Sequence, residues 1–383
     1  MLSNKFNFLK AITLQKIIIS ATNDLVSDQR INKICDSLQS FGFEITLIGR
    51  KLPNSLPISR SYKVIRMRML FNKGFLFYAE YNTRLFFKLL FLKTDILLAN
   101  DLDTLLPNYL ISHLFHKKLV YDSHEFFTEV PELISRPKVR NVWLQIEKFI
   151  FPKLKNVYTV NDKIAEIYSE KYKIPVKVIR NIAPKLQDRK IDLEFSQKIK
   201  GHKKMLILQG SGINMDRGAE EAVLMMKYLK NCVLFIIGGG DVFSNLSQII
   251  HENNLKDQVI LINKVPYKTL MEYTKIADLG LSLDKGSNLN YEYSLPNKIF
   301  DYIQAEIPVL VSNRIVLSGL VQKNNIGSVC NTHDPKALAK LVQDIFKDEQ
   351  LYELWKKNVK KAALNYTWEN ESKKLKEIYS NLK

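Results

Sequence analysis

The sequence predicts an α/β protein of two Rossmann-like domains in tandem, and three observations carry that expectation. Short apolar runs of strand length alternate with stretches of helical period. The alternation restarts once, after a charged segment that holds no clear strand. At 383 residues, 46% of them hydrophobic, the chain is long enough for two cores and unusually long for one.

In the first series, KIIIS (16–20), EITLIG (44–49), DILLAN (95–100), KLVYDS (118–123) and NVYTVN (156–161) read as buried parallel strands. The stretch from Val26 to Phe41, followed by Gly42, reads as the first crossover helix with a glycine at its C-terminus. A first domain over 1–182 follows from this order, and the polar stretch over 183–203 is a linker. The second series has MLILQG (205–210), CVLFIIGGG (232–240), QVILIN (258–263), LGLSLD (279–284), VLVS (309–312) and GSVC (327–330), giving a second domain over 204–365. Apolar residues at helical spacing in TWENESKKLKEIYSNLK predict a docking helix over 366–383. No repeat of the length of solenoid or propeller units is present.

Composition narrows the partners without choosing one. Lys and Arg outnumber Asp and Glu by 57 to 39, a formal charge of +18, which favours nucleic acid, anionic lipid headgroups or phosphorylated substrates. The excess is spread along the chain and forms no basic tail. Cys35, Cys232 and Cys330 are dispersed and odd in number, with no CxxC pair, so neither a metal site nor a redox site is expected, and a reducing cytoplasm fits. The opening MLSNKFNFLKAITLQKIIIS is too interrupted for a signal peptide, and no apolar window reaches the length of a membrane span. Residues 60–93 combine many Phe and Tyr with Lys and Arg and a single carboxylate, Glu80. Two readings fit that composition equally: an interfacial helix on an anionic membrane surface, or a helix packed on the sheet with its basic residues outside.

Ligands of open α/β sheets bind beyond the carboxyl ends of the strands, so the residues just after each apolar run are the informative ones. Gly210, Ser211 and Gly212 follow a strand, and Arg217 precedes a helix; glycines admit an anion to the backbone, and the arginine neutralises a diphosphate. Gly238 and Gly239 close the next strand. In SLPNKIFDYIQAEIPVLVS, Ser294 is expected to cap a helix that Pro296 opens and that runs to about Ala305. Amides at Asn297 and the Lys298 ammonium would then hold phosphate oxygens, with Asp301 one turn farther on to accept from ribose hydroxyls.

That segment resembles the donor-site helix of family 4 retaining glycosyltransferases (group 1 glycosyl transferases), whose two Rossmann-like domains face each other across a cleft in the GT-B fold. QGSGINMDRGAEEAV resembles the family's phosphate-binding turn, ADLGLSL its following strand, and YTWENESKKLKEIY its C-terminal helix, which crosses back to the first domain. YDSHEFFTEVPEL resembles the segment that supplies a histidine beside the reacting sugar, which makes His124 a site candidate with Asp122 and Glu125 as neighbours; NDLDTLLP resembles the preceding loop. The family's pair of glutamates is altered: Asp301 takes the second place, and the first falls at Tyr293, beside Glu292. Arg217 matches the lysine of the family's Arg-Lys phosphate pair, while Ser211 stands at the arginine's place, so the resemblance leaves Lys298 or Lys285 to supply the missing charge.

The resemblance implies transfer of a sugar from a nucleotide-sugar, which is a substrate and no cofactor, to a glycan or lipid-linked acceptor in cell-surface polysaccharide or lipopolysaccharide synthesis, with retained configuration and no metal. His124, Arg217 and Lys298 would carry the catalytic duties, on the cytoplasmic side, including the inner face of the membrane. Two alternatives stand beside it. A basic nucleic-acid-binding protein fits the charge, although no RRM, KH or helix-turn-helix signature is present, so no nucleic-acid partner is expected. A sugar-nucleotide epimerase of the same fold would act without an acceptor. A dehydrogenase is disfavoured because SATNDLVSDQR, after the first strand, lacks GxGxxG.

Overall fold

The computed structural model describes residues 14–26, 28–187 and 190–382. The expectation that no leader opens the chain bears on residues 1–13, which lie outside the described residues. Two parallel sheets organise the chain. The first joins β1 (Lys16–Ser20), β2 (Glu44–Lys51), β3 (Lys63–Arg68), β4 (Ile96–Asn100), β5 (Lys118–Ser123), β6 (Asn156–Thr159) and β7 (Val176–Val178) in the order β3-β2-β1-β4-β5-β6-β7. The second joins β8 (Lys204–Gly210), β9 (Cys232–Gly238), β10 (Val259–Asn263), β11 (Leu279–Ser282), β12 (Val309–Ser312) and β13 (Gly327–Cys330) in the order β10-β9-β8-β11-β12-β13. In each sheet the order reverses once, between β1 and β4 and between β8 and β11, and the crevices beyond those two points are where such sheets bind ligands.

The strands expected from apolar runs all form, because a parallel strand covered on both faces must be apolar throughout: Ile96 to Asn100 and Val309 to Ser312 are buried at every position. Two strands were not foreseen. β3, KVIRMR, is an edge strand with only Met67 buried, so it keeps its charges, and β7 has three residues, none buried. Residues 60–93 therefore divide into β3 and the helix Gly74–Phe91. That helix packs Phe77, Tyr81, Leu85 and Leu89 inward, as the packed reading requires, yet it leaves Phe75, Leu76, Phe87 and Phe91 exposed beside its basic residues.

The first crossover helix spans Gln29–Ser40, three residues shorter at its start than expected, because the Asp28 carboxylate accepts the Ile31 N–H at 2.9 Å and fixes the N-terminus there. Gly42 follows its end with φ +87°, as a C-terminal glycine does. Within 183–203 a short helix, Leu193–Lys200, forms with no buried residue. The terminal helix, Trp368–Ser380, leaves the second domain and packs Trp368, Leu375, Ile378 and Tyr379 into the core of the first, beside Phe43 and Leu38. Trp368 fastens the crossing: its N–H donates to Ala183 O at 3.0 Å and its Nε1 to Ser37 Oγ at 2.9 Å. No helix among the described residues is long and apolar enough to cross a membrane.

Candidate active site in the interdomain cleft

The carboxyl ends of both sheets border one cleft of about 690 Å³, a size that suits a ligand larger than a single sugar. Of the residues singled out from the sequence, His124, Glu125, Gly210, Ser211, Gly212, Arg217, Gly238, Ser294, Pro296, Asn297, Lys298 and Asp301 line it. Asp122, Gly239, Glu292 and Tyr293 do not.

On the side of the second domain, the turn after β8 depends on close backbone packing. Gly238 has φ +151°, and a Cβ there would lie 1.8 Å from Gly210 O, so β9 approaches the 210–212 turn only because that side chain is missing. At Gly239 a Cβ would meet Lys264 Cε at 3.2 Å; the residue makes room for that stem. The helix Asn297–Gln304 begins as expected, with its first turn lining the cleft, but Pro296 occupies its N-cap and Ser294 does not cap it: the Ser294 hydroxyl donates to Tyr291 O at 3.0 Å. The hydroxyl is spent on closing the preceding turn.

Arg217 and Lys298 converge on Asp284, a residue that sequence reasoning passed over although it ends an apolar run. Asp284 is wholly buried; its carboxylate accepts from Arg217 Nη1 at 2.9 Å and Ser282 Oγ at 2.9 Å, and Lys298 Nζ lies 3.5 Å away. Burial alone would raise this carboxyl, but the two cations outweigh it and hold it below the usual carboxylate range. Burial lowers Lys298, with the nearby Arg217 acting in the same direction and Asp284 opposing. The Arg217 guanidinium also sits over the Tyr291 ring at 4.1 Å. Lys285 does not contribute: it pairs with Glu221 at 2.6 Å, outside the cleft lining. Glu292 is likewise engaged elsewhere, by Arg314 at 2.5 Å, and Tyr293 packs its ring toward Phe126. Asp301 accepts from Tyr267 OH at 2.9 Å and Gln209 Nε2 at 3.0 Å, and burial pushes its carboxyl up to about 6.

Facing these groups from the first domain is His124. Its Nε2 lies 2.9 Å from Asn100 Oδ1 and 3.2 Å from Asp122 Oδ2, and its Nδ1 3.4 Å from Asp101 Oδ2. Burial opposes a charge on the ring, but Asp101 and Asp122 outweigh it and raise the imidazolium to about 9. The carboxylates thus favour the protonated ring, and both His124 nitrogens are committed to protein partners; what the residue offers the cleft is a ring edge. Asp122 is in turn gripped by Arg30, Nη2 to Oδ1 at 2.6 Å and Nε to Oδ2 at 3.0 Å. Asp101 stands at φ +58°, turned so that its Oδ1 accepts the His124 N–H at 2.7 Å, and burial raises its carboxyl to about 7. Burial and the neighbouring Asp101 raise Glu125 to about 7.

Comparison with known proteins finds similarity in sequence for the second domain and in fold for both. Residues 190–362 match the family described as glycosyl transferases group 1. Among solved structures, sucrose-phosphate synthase from Thermosynechococcus elongatus superposes with a TM-score of 0.77 at 16% identity, over 96% of this chain and 99% of that one. WaaG, a glycosyltransferase involved in lipopolysaccharide biosynthesis, gives 0.73 at 14%, over 94% and 99%. HepE from Anabaena in complex with UDP-glucose gives 0.72 at 13%, over 96% and 99%. The two-domain fold is thus the GT-B fold, and the match to group 1 glycosyl transferases covers the second domain.

Proposed function

We propose that this chain is a retaining glycosyltransferase that moves a sugar from a nucleoside-diphosphate sugar to a glycan or lipid-linked acceptor, in the synthesis of a cell-surface polysaccharide or lipopolysaccharide. The observation that carries the proposal is the convergence of Arg217 and Lys298 on Asp284 at the switch point of the second sheet, opposite His124. Two cations beside the first-turn amides of Asn297–Gln304 make a seat for a diphosphate, and Asp284 holds both in place before it arrives. HepE, which shares the fold, is known with UDP-glucose bound, so a UDP-sugar is the first donor to try.

In this reading the bond from the sugar's anomeric carbon to the diphosphate breaks while the bond to the acceptor oxygen forms on the same face of the ring. The acceptor's proton passes to a phosphate oxygen of the departing diphosphate. Arg217, Lys298 and the helix-start amides stabilise the developing charge, with no metal assigned to that task; Asp301 binds ribose hydroxyls, and the His124 ring edge stands beside the sugar. Thermal-shift and hydrolysis measurements with UDP-, GDP-, ADP- and dTDP-sugars test the reading. Stabilisation by one nucleotide class, lost in Arg217→Ala and reduced in Asp301→Ala and unaffected by a chelator, is the expected result; no response to any nucleotide overturns it.

We further propose that the protein works at the cytoplasmic membrane surface. Support comes from the exposed Leu70, Phe71, Phe75, Leu76, Phe87 and Phe91 among Lys73, Arg84 and Lys88, an arrangement that combines apolar burial with attraction to anionic headgroups. Co-sedimentation with vesicles containing phosphatidylglycerol, but not with neutral ones, is expected.

A further inference from the structure

The two domains meet at one corner of the cleft through a short segment just before the donor-site helix. The short helix Leu289–Glu292 of the second domain is opened by Asn288, whose side chain accepts the Tyr291 N–H at 2.8 Å, and it presents Asn290 to the first domain. Asn290 is 7% exposed, and both ends of its amide are used across the boundary. Oδ1 accepts the Phe126 N–H at 3.1 Å, and Nδ2 donates to Glu125 Oε2 at 3.2 Å. A third bond backs these two: Asn161 Nδ2 donates to Tyr293 O at 2.9 Å. Tyr291, the next residue after Asn290, lies under the Arg217 guanidinium, while Glu125 and Phe126 directly follow His124. One short helix therefore touches the principal cation of the second domain and the histidine loop of the first.

We infer that Asn290 is a positioning residue that sets the spacing of the two half-sites by seating the 124–126 loop, and with it His124, against the domain that carries Arg217 and Lys298. An amide suits the place because it accepts from a backbone N–H and donates to the Glu125 carboxyl at once; an aspartate would accept the first but has no N–H to give the second. Buried amide groups must be paired, so this side chain favours one separation of the domains, while rehydration on opening keeps the contact reversible. The catalytic consequence rests on the glycosyl-transfer reading; the contact itself does not.

The test compares wild type, Asn290→Ala, Asn290→Asp, and the double variant Asn290→Asp/Glu125→Gln. In the double variant the bond between 125 and 290 runs in the opposite direction, and the Phe126 N–H keeps an acceptor. In Asn290→Ala without substrate, hydrogen exchange at the Phe126 amide is expected to quicken by about tenfold or more, and small-angle scattering to show a larger radius of gyration. The Kd for UDP should stay within about twofold of wild type, while kcat for transfer falls by about tenfold or more with little change in the donor KM. Asn290→Asp should be as impaired, and the double variant should recover much of the lost kcat. Unchanged exchange and unchanged kcat in Asn290→Ala would overturn the inference, as would a double variant no better than Asn290→Asp. If wild type itself binds no nucleotide and transfers nothing, the functional reading fails, and exchange and scattering still decide whether Asn290 holds the domains together.

Discussion

Asp284 shows how a single buried carboxylate organises the candidate donor site. It lies between Arg217 and Lys298 and is wholly buried, so the cations stabilise a carboxylate that would not be stable there alone. Asp284→Asn leaves the cations facing each other without a counter-charge. The expected cost is about 3 kcal/mol or somewhat less, since Arg217 retains some access to water, and pyrophosphate should restore part of it by taking the missing charge's place. Denaturation curves with and without pyrophosphate check this. His124 gives a second prediction. Its raised value, about 9 against 6.5 for free histidine, means that the folded state binds the proton more tightly than the unfolded one. The stabilisation is fully present below about pH 6.5 and is lost as pH rises through about 9. Unfolding free energy measured across that window should decline in wild type and decline less in His124→Gln.

Among the elements, the 210–212 turn and the Gly74–Phe91 helix make opposite demands on their sequences. The turn tolerates no side chain on the neighbouring strand: Gly238→Ala places a methyl against Gly210 O in a backbone region that alanine avoids. A loss of about 1–3 kcal/mol is expected, with weaker UDP binding because the turn must shift; chemical denaturation and calorimetry separate the two effects. The helix, by contrast, exposes rings that contribute little to its packing, Phe75 at 69% and Phe91 at 81%. Phe75→Ser/Phe91→Ser should alter stability by no more than about 0.5 kcal/mol per site and reduce binding to anionic vesicles. Vesicle binding equal to wild type would remove the membrane proposal while leaving the transferase reading intact.

Across the whole molecule, the chain passes between the domains near residues 181–187 and again at 366–368, and Trp368 gathers both crossings. Its indole bonds to Ser37, its N–H to Ala183 O, and the Lys33 ammonium lies 5.1 Å from its ring while donating to Asn181 Oδ1 at 2.9 Å. Trp368→Ala should cost about 3–5 kcal/mol by the measure of other buried aromatics. It should also broaden the distribution of interdomain distances in scattering, whereas Leu375→Ala on the same helix should affect stability alone. The terminal helix is thus both a part of the first core and a restraint on how the domains swing.

The sequence by itself determined the buried strands of both sheets, since a strand buried on both faces must be apolar along its length, and with them the two-domain organisation. It also exposed part of the candidate site, because Gly210, Gly212 and Gly238 stand at or just past strand ends, and Arg217 and the 296–301 segment stand at helix starts, where chain geometry restricts residue type. β3 stayed hidden because an edge strand needs no apolar run, and the partner of each charge stayed hidden because pairing depends on distance in space. Arg217 finds Asp284, Glu292 finds Arg314 in place of a ligand, and His124 is claimed by Asp101 and Asp122. Asn290 is the extreme case: its partners at 125 and 126 are more than 160 positions away. Local sequence constrains which segments become strands and turns, but only the packing of one domain against the other decides which polar groups must satisfy each other once water is gone.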